Sequence, residues 1–440
     1  MSEDEPVLIK GLNDSHAWLQ EHNVQIDDRV VSTLPDINNI MDVAGRPVVC
    51  FCSSGYLGVQ ARPEIKGAAA QAIYQYGIDT TMSRFVGGNL DVLVDLEKQL
   101  ADFKGEEASV TFATGLMANL GAIPAIIDTE RYMKQFYGFP PNPRDRLILG
   151  DQLNHYSIRM GIRVAHATYK RYPHNDMAAL EQLLDQNRST PTLVVTDSVF
   201  SLDGDLVSLP KVIELCKNYG ATLYIDDAHG TGVLGRNGRG TAEHFGVEGQ
   251  VDIQMGTLSK AFGIIGGFVA GEKSIIDMIK FSAPTYIFTS SLTAVEAVAV
   301  MTAIDIVKKE PMLRETLWKN VYHTMDGLRA IGVGFPLQWS PIIPIMIRDE
   351  QKAIDIEAFM LDRGVYCSAV RPPGVTANES RLRLLVNANH NTDQLDHLLE
   401  VLDDVAHTFG LPKEYLSPDV WNEFLLQTPD YITEFIHAPN

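Results

Sequence analysis

The chain has 440 residues, 45% of them hydrophobic, and a formal net charge of −20, with a sequence pI of about 5.0. That balance argues against a nucleic-acid binder, which needs a basic face, and against docking on anionic membrane. No stretch has the run of apolar residues that a spanning helix requires. The length allows a large core in two domains. The first residues, Met-Ser-Glu-Asp-Glu-Pro, are acidic and do not follow the basic-then-apolar pattern of a secretory signal, so a cytoplasmic location is expected. Cys50, Cys52, Cys216 and Cys367 have no metal-ligand spacing. They read as reduced packing residues, and no metal site is expected.

Residues 1–60 read as an N-terminal arm, with a short helix near 17–19 and an apolar strand over 47–53 that ends at Ser54-Gly55-Tyr56-Leu57-Gly58. Pro63–Tyr76 reads as a helix with proline in its first turn. Residues 91–103 are amphipathic, with Leu93, Leu96, Leu100 and Phe103 at helical spacing. Strand candidates then follow at Ala108–Phe112, 146–149, 192–196, 222–225, 252–255 and 267–270. Helical segments at 116–127, 177–185 and 211–219 separate several of them. This alternation predicts an α/β domain with a mostly parallel sheet, over 61–310, whose sites lie at the C-terminal ends of the strands. A long apolar helix over 293–308 leads out of it. Strands at 342–347 and 381–386 with helices at 354–362 and 392–408 predict a smaller α+β domain over 311–410. The aromatic residues Trp421, Phe424, Tyr431 and Phe435 predict that a tail over 411–440 packs on the body.

The chemistry centres on Gly256-Thr257-Leu258-Ser259-Lys260-Ala261-Phe262-Gly263. A lysine that attacks a carbonyl must be neutral, which burial and nearby positive charge achieve. Small neighbours let a flat cofactor lie against the backbone, and the hydroxyls suit a phosphate. On its own this run reads equally well as a loop lysine before a glycine-rich turn. A second strand, 222–225, delivers Asp226, followed by Asp227-Ala228-His229-Gly230. A semi-buried carboxylate keeps the ring nitrogen of an electron-storing heteroaromatic cofactor protonated, and His229 is in reach of a ring hydroxyl. Because Asp226 and Lys260 both follow strands, both can face one cleft. Gly115-Leu116 opens a helix and offers N–H groups to an anion. His155 follows a strand and is placed either to stack on a flat ring or to serve as an ordinary loop histidine. Ser201, Thr289 and Ser290 supply hydroxyls. Arg371, Arg381 and Arg383 are candidates for a bidentate grip on a carboxylate, of which one is expected to be functional.

Taken together and in this order, these runs resemble the α-oxoamine synthases, pyridoxal-phosphate enzymes of the class II aminotransferase group. The most specific are Ile225-Asp226-Asp227-Ala228-His229-Gly230-Thr231-Gly232, Phe200-Ser201-Leu202-Asp203-Gly204-Asp205 and Thr257-Leu258-Ser259-Lys260. His174-Asn175-Asp176 and Arg371-Pro372-Pro373 also fit. The resemblance implies the fold type I of such transferases, with a mostly parallel seven-stranded sheet and a smaller α+β C-terminal domain. It implies pyridoxal 5'-phosphate bound covalently by Lys260, with Asp226 on the ring nitrogen, His229 and Ser201 on the ring oxygen and His155 stacked on the ring. Thr257 and the backbone of Gly115 and Leu116 would hold the phosphate. Thr289 and Ser290 would reach it from the partner in a homodimer with shared sites. Arg371, with Arg383 as second choice, would grip the amino acid carboxylate. The implied reaction joins an amino acid to an acyl thioester, carried by coenzyme A or an acyl carrier protein, with decarboxylation to an α-amino ketone. An aminotransferase on the same fold and a non-catalytic partner subunit are the alternatives.

Three departures from the family pattern bear on substrate choice. Ser54 stands where the family usually has Asn. Ile78-Asp79-Thr80-Thr81-Met82-Ser83-Arg84 replaces a glycine-rich run, which puts Met82 where the acyl donor is expected to pass. The segment 128–145 and the aromatic tail are longer than the pattern requires; they read as extra packing ahead of an acyl-channel lining or buried dimer surface. Arg144, Arg146, Arg159, Arg163, Lys170 and Arg171 form the candidate basic patch for an acidic carrier.

Overall fold

A computed structural model describes residues 6–21, 24, 30–140, 145–411 and 417–438. Arg144 and part of the 128–145 segment lie outside the described residues. The centre is a seven-stranded sheet. Its order is Ala108–Phe112, Gly267–Gly271, Ile253–Thr257, Thr222–Asp226, Thr192–Asp197, Leu147–Asp151 and Thr168–Tyr172. Gly267–Gly271 runs antiparallel to both its neighbours, and the other pairings are parallel. The inner strands are buried along almost their whole length, as strands covered on both faces must be, and so read as near-continuous apolar runs. The edge strand Thr168–Tyr172 (Thr-Tyr-Lys-Arg-Tyr) is half exposed and charged. Its sequence does not announce a strand, and the charges protect an open sheet edge.

Two antiparallel strands, Ile342–Met346 and Arg381–Leu385, with the short Ala369–Val370, form a smaller sheet. Residues 40–50 also build structure there. Ile40–Val43 pairs with Arg46–Cys50, which pairs in parallel with Val365–Tyr366. The helix Val7–Glu21 is longer than the sequence suggested and has no buried residue. In the tail, Trp421, Tyr431, Ile432 and Phe435 are buried in the same apolar cluster as Trp318 and Trp339. The four thiols are free. No helix among the described residues is long and apolar enough to cross a membrane.

Candidate active site

Because the inner strands run parallel, Asp151, Asp197, Asp226 and Thr257 end their strands at one edge of the sheet. A cavity of about 260 Å³ opens at that edge. Gly115, Leu116, His155, Ser201, Asp226, His229, Thr257 and Lys260 all line it. Of the expected cofactor residues only Thr289 and Ser290 stand apart from the cavity of their own chain. They follow the exposed Phe288, and Ser290 bridges to Ser83.

At one end, Gly115 begins a helix that runs to Tyr137, capped by the Thr114 side chain accepting from Met117 N. The first-turn N–H groups of such a helix have no intrahelical acceptors and, with the helix dipole, favour an anion. A Cβ on Gly115 would lie 3.2 Å from Thr257 Oγ1 and 3.1 Å from Met255 Cε, so helix start and strand end approach closely enough that a side chain there would crowd them. Thr257 Oγ1 lies 2.9 Å from Ser259 Oγ and donates to Gly266 O. Backbone donors and two hydroxyls thus converge where a phosphate fits.

At the other end Asp226 is buried, and its carboxylate is held in place. Oδ2 accepts from Asn119 Nδ2 at 2.7 Å, and Oδ1 accepts from Ala228 N at 3.1 Å. Asn119 is itself fixed by Tyr224 OH, which donates to its Oδ1, and by Ser157 Oγ. Next to it, Asp227 is wholly buried but faces away. It pairs with Lys104 at 2.7 Å and accepts from Ser198 and Thr241. His229 Nδ1 meets Tyr56 OH at 2.7 Å. Burial, and then the charges of Lys260 and Arg383, hold the His229 pKa well below the ordinary histidine value, so its imidazole is neutral. His155 caps the helix Tyr156–Val164. Its backbone N donates to Asp197 Oδ2 at 2.6 Å, and its Nδ1 lies 2.7 Å from Ser157 Oγ. Although the ring faces the open cavity, desolvation by the surrounding protein lowers its pKa, opposed by Asp226. Burial, with the Asp226 charge beside it, pushes Asp197 well above the carboxylate range.

Lys260 is half-buried. Burial lowers its pKa to about 8; Asp226 opposes this and Arg383 adds to it. The amine is therefore partly neutral near neutral pH, which is what carbonyl attack needs.

The small sheet supplies the arginines. Arg383 is close enough for its charge to act on Lys260, His229 and Tyr56, and its Nε is buried without a hydrogen-bond partner among the described residues. Neither Arg383 nor Arg371 lines the cavity itself, and Arg371 lies 3.7 Å from Glu350. Arg381 is buried and paired with Asp203. Ser54 precedes Tyr56, whose N donates to Ser54 O. Met82 is 45% exposed on its loop, after Thr81 at φ 54°. Sequence reasoning missed Asn119, Asp197, Tyr56 and Thr114. Asn119 had a signal, one helical turn beyond Gly115, and Asp197 ends a strand as Asp226 does. No local pattern marks Tyr56.

The residues fit pyridoxal phosphate: an anion cradle at one end, a braced carboxylate at the other, a depressed lysine between. The comparisons agree. Residues 46–402 match the family described as aminotransferase class I and II, and the chain belongs to it. A serine palmitoyltransferase of Bacteriovorax stolpii is 39% identical over 372 residues, 84% of this chain and 85% of that one. An 8-amino-7-oxononanoate synthase of Treponema denticola is 37% identical over 371 residues, 84% and 90% of the two. Among solved structures, S. paucimobilis serine palmitoyltransferase with a bound PLP–myriocin aldimine superposes with a TM-score of 0.84 at 28% identity, covering 93% of this chain and 100% of that one. The 8-amino-7-oxononanoate synthase of Francisella tularensis gives 0.67 at 25% identity, over 82% and 99%. Within the aminotransferase family the chain is thus one of the α-oxoamine synthases: a pyridoxal-phosphate-dependent acyltransferase that condenses an amino acid with an acyl thioester.

Proposed function

We propose that the cavity residues divide the work of that condensation as follows, and that the product is an α-amino ketone released after decarboxylation. The cofactor, when bound, supplies an electron sink for a carbanion at the amino acid Cα. Lys260 holds the cofactor covalently at rest and, once displaced by substrate, moves the proton at Cα. Asp226 keeps a proton on the ring nitrogen, and Asn119 keeps Asp226 aimed. His229, neutral and fixed by Tyr56, and Ser201 donate to the ring oxygen. His155 covers one ring face and excludes water. The Gly115–Leu116 N–H groups, Thr257 and Ser259 bind the phosphate. Arg383 is the arginine best placed for the amino acid carboxylate, with Arg371 in reach after a side-chain swing away from Glu350.

Thr289 and Ser290 sit off their own cavity, and Phe85, Val86 and Phe288 are exposed nearby. This supports a homodimer in which they complete the partner's phosphate site. The large domain (61–310) and small domain (311–410) would close on substrate, with the N-terminal arm (1–60) leading into them and the tail (411–440) packed on the body, in the cytoplasm. For substrates we favour serine and a long-chain acyl thioester. The exposed apolar Ile78, Met82, Phe85 and Val86 offer an alkyl chain a wall, and the serine palmitoyltransferase structure superposes better than the oxononanoate synthase. The observation that carries the assignment is Lys260 and Asp226 in one cavity. The test is mass spectrometry of products from mixed amino acids with short and long acyl thioesters, on coenzyme A and on a carrier protein. A long-chain α-amino ketone with free thiol and carbon dioxide is expected. Robust turnover of glycine with acetyl-CoA contradicts the substrate reading, and a keto acid by-product contradicts the reaction.

A further inference from the structure

The run His174-Asn175 sits beneath the cavity rather than in it, and the roles above leave it unused. His174 Nδ1 lies 3.1 Å from Asp151 Oδ1, and its Nε2 lies 2.7 Å from Asp205 Oδ2. An ionised carboxylate only accepts hydrogen bonds, so both ring nitrogens must donate and the ring is an imidazolium. Burial works against that charge, but the two carboxylates outweigh it and raise the pKa to about 10. They are the charged groups facing the ring; the ring edge otherwise packs on Phe200, with centroids 4.4 Å apart at 84°.

Each carboxylate holds a different wall of the cavity. Asp151 Oδ1 accepts from Leu153 N at 2.8 Å, and Asp151 O accepts from Asn154 N; this turn presents His155. Asp205 closes the other turn. Phe200 N donates to Asp205 O and Gly204 N to Phe200 O, and Ser201 lies between. Asn175, at φ 52°, reinforces both sides: its N donates to Asp151 Oδ2 at 2.9 Å and its Nδ2 to Asp205 Oδ2 at 3.1 Å.

We propose that His174 is a positioning residue for the cofactor, an imidazolium strut that fixes the spacing between the turn carrying His155 and the turn carrying Ser201. This rests on the reading that the cofactor lies between those two side chains. Ring stacking and the ring-oxygen hydrogen bond are satisfied together only while that spacing holds.

The test uses the holoenzyme, with His174→Gln and Asp205→Asn as variants. His174→Gln is expected to keep the cofactor's absorption band but to lose at least about half of its visible circular dichroism. Its kcat is expected to fall on the order of tenfold, as for other groups that orient a primary contact, with KM for the amino acid nearly unchanged. Asp205→Asn removes one of the two carboxylates that keep the proton on His174. Its kcat is expected to fall on the alkaline side, at a pH where the parent enzyme is flat. If the parent enzyme itself shows no cofactor band, the reading of the cavity fails whatever the variants do. If the band is present and His174→Gln has parental dichroism and kcat, the strut is overturned and the cavity reading survives. Should His174→Gln not fold, a parental pH profile for Asp205→Asn overturns the proposal equally.

Discussion

The sheet edge that lines the cavity and the small sheet that carries the arginines are built differently. On the sheet side the carboxyl groups are already engaged: Asp226 by Asn119 and Ala228 N, Asp197 by His155 N, Asp227 by Lys104. On the small-sheet side Arg383 keeps a buried Nε unpartnered among the described residues, and Arg371 lies near Glu350 at 3.7 Å. The carboxyl groups of the sheet edge are held before anything binds, which suits the resident cofactor proposed above; among the described residues Arg383 keeps a buried donor without an acceptor, which suits the proposed carboxylate of a transient substrate. Preorganised groups act without reorganising during the reaction, whereas an arginine that gains its partner with the substrate puts that energy into binding it.

This contrast can be broken from either side. The largest effect is expected from Lys260→Ala, which should cost at least about 10³-fold in kcat in steady-state assays with saturating cofactor. Asp226→Asn, which keeps the shape and loses the charge, should cost on the order of 10²-fold in the same assay. Lys104→Met tests the scaffold beneath: it strands the Asp227 carboxylate, and denaturant unfolding should show a loss of ~3–5 kcal/mol. On the other side, Arg383→Lys should raise KM for the amino acid about tenfold, the value of a charged hydrogen bond, while kcat is retained. If Arg371→Lys has the larger effect, that side closes by that arginine. Attack on the cofactor needs neutral Lys260, with a pKa of about 8. The rate of cofactor capture by cofactor-free enzyme should therefore rise about tenfold from pH 7 to a plateau above pH 8, measured by stopped-flow absorbance.

The same contrast governs what was legible in the sequence. Asp226 and Lys260 follow apolar strands, and a parallel sheet must bring such ends to one edge, so periodicity and spacing placed both at one cleft; Gly115, a weak signal by itself, joined them through the family resemblance. The strand Thr168–Tyr172 was not legible because its charges serve an exposed edge. Asn119 stands one turn into the helix that Gly115 opens, but its bond to Asp226, 107 residues away, was not legible. The arginine side was least legible. The Arg371-Pro372-Pro373 run drew attention to Arg371, but which arginine comes near Lys260 depends on the register of Arg381–Leu385 against Ile342–Met346 and on Glu350. Residues 40–50 read as an arm because their strand partner, Val365–Tyr366, lies more than 300 residues further on.

The most direct test of the account is borohydride reduction of the holoenzyme followed by peptide mapping. A single lysine modified by the reduced cofactor, Lys260, is the expected result. An unmodified Lys260 peptide, or the label on another lysine, would contradict it.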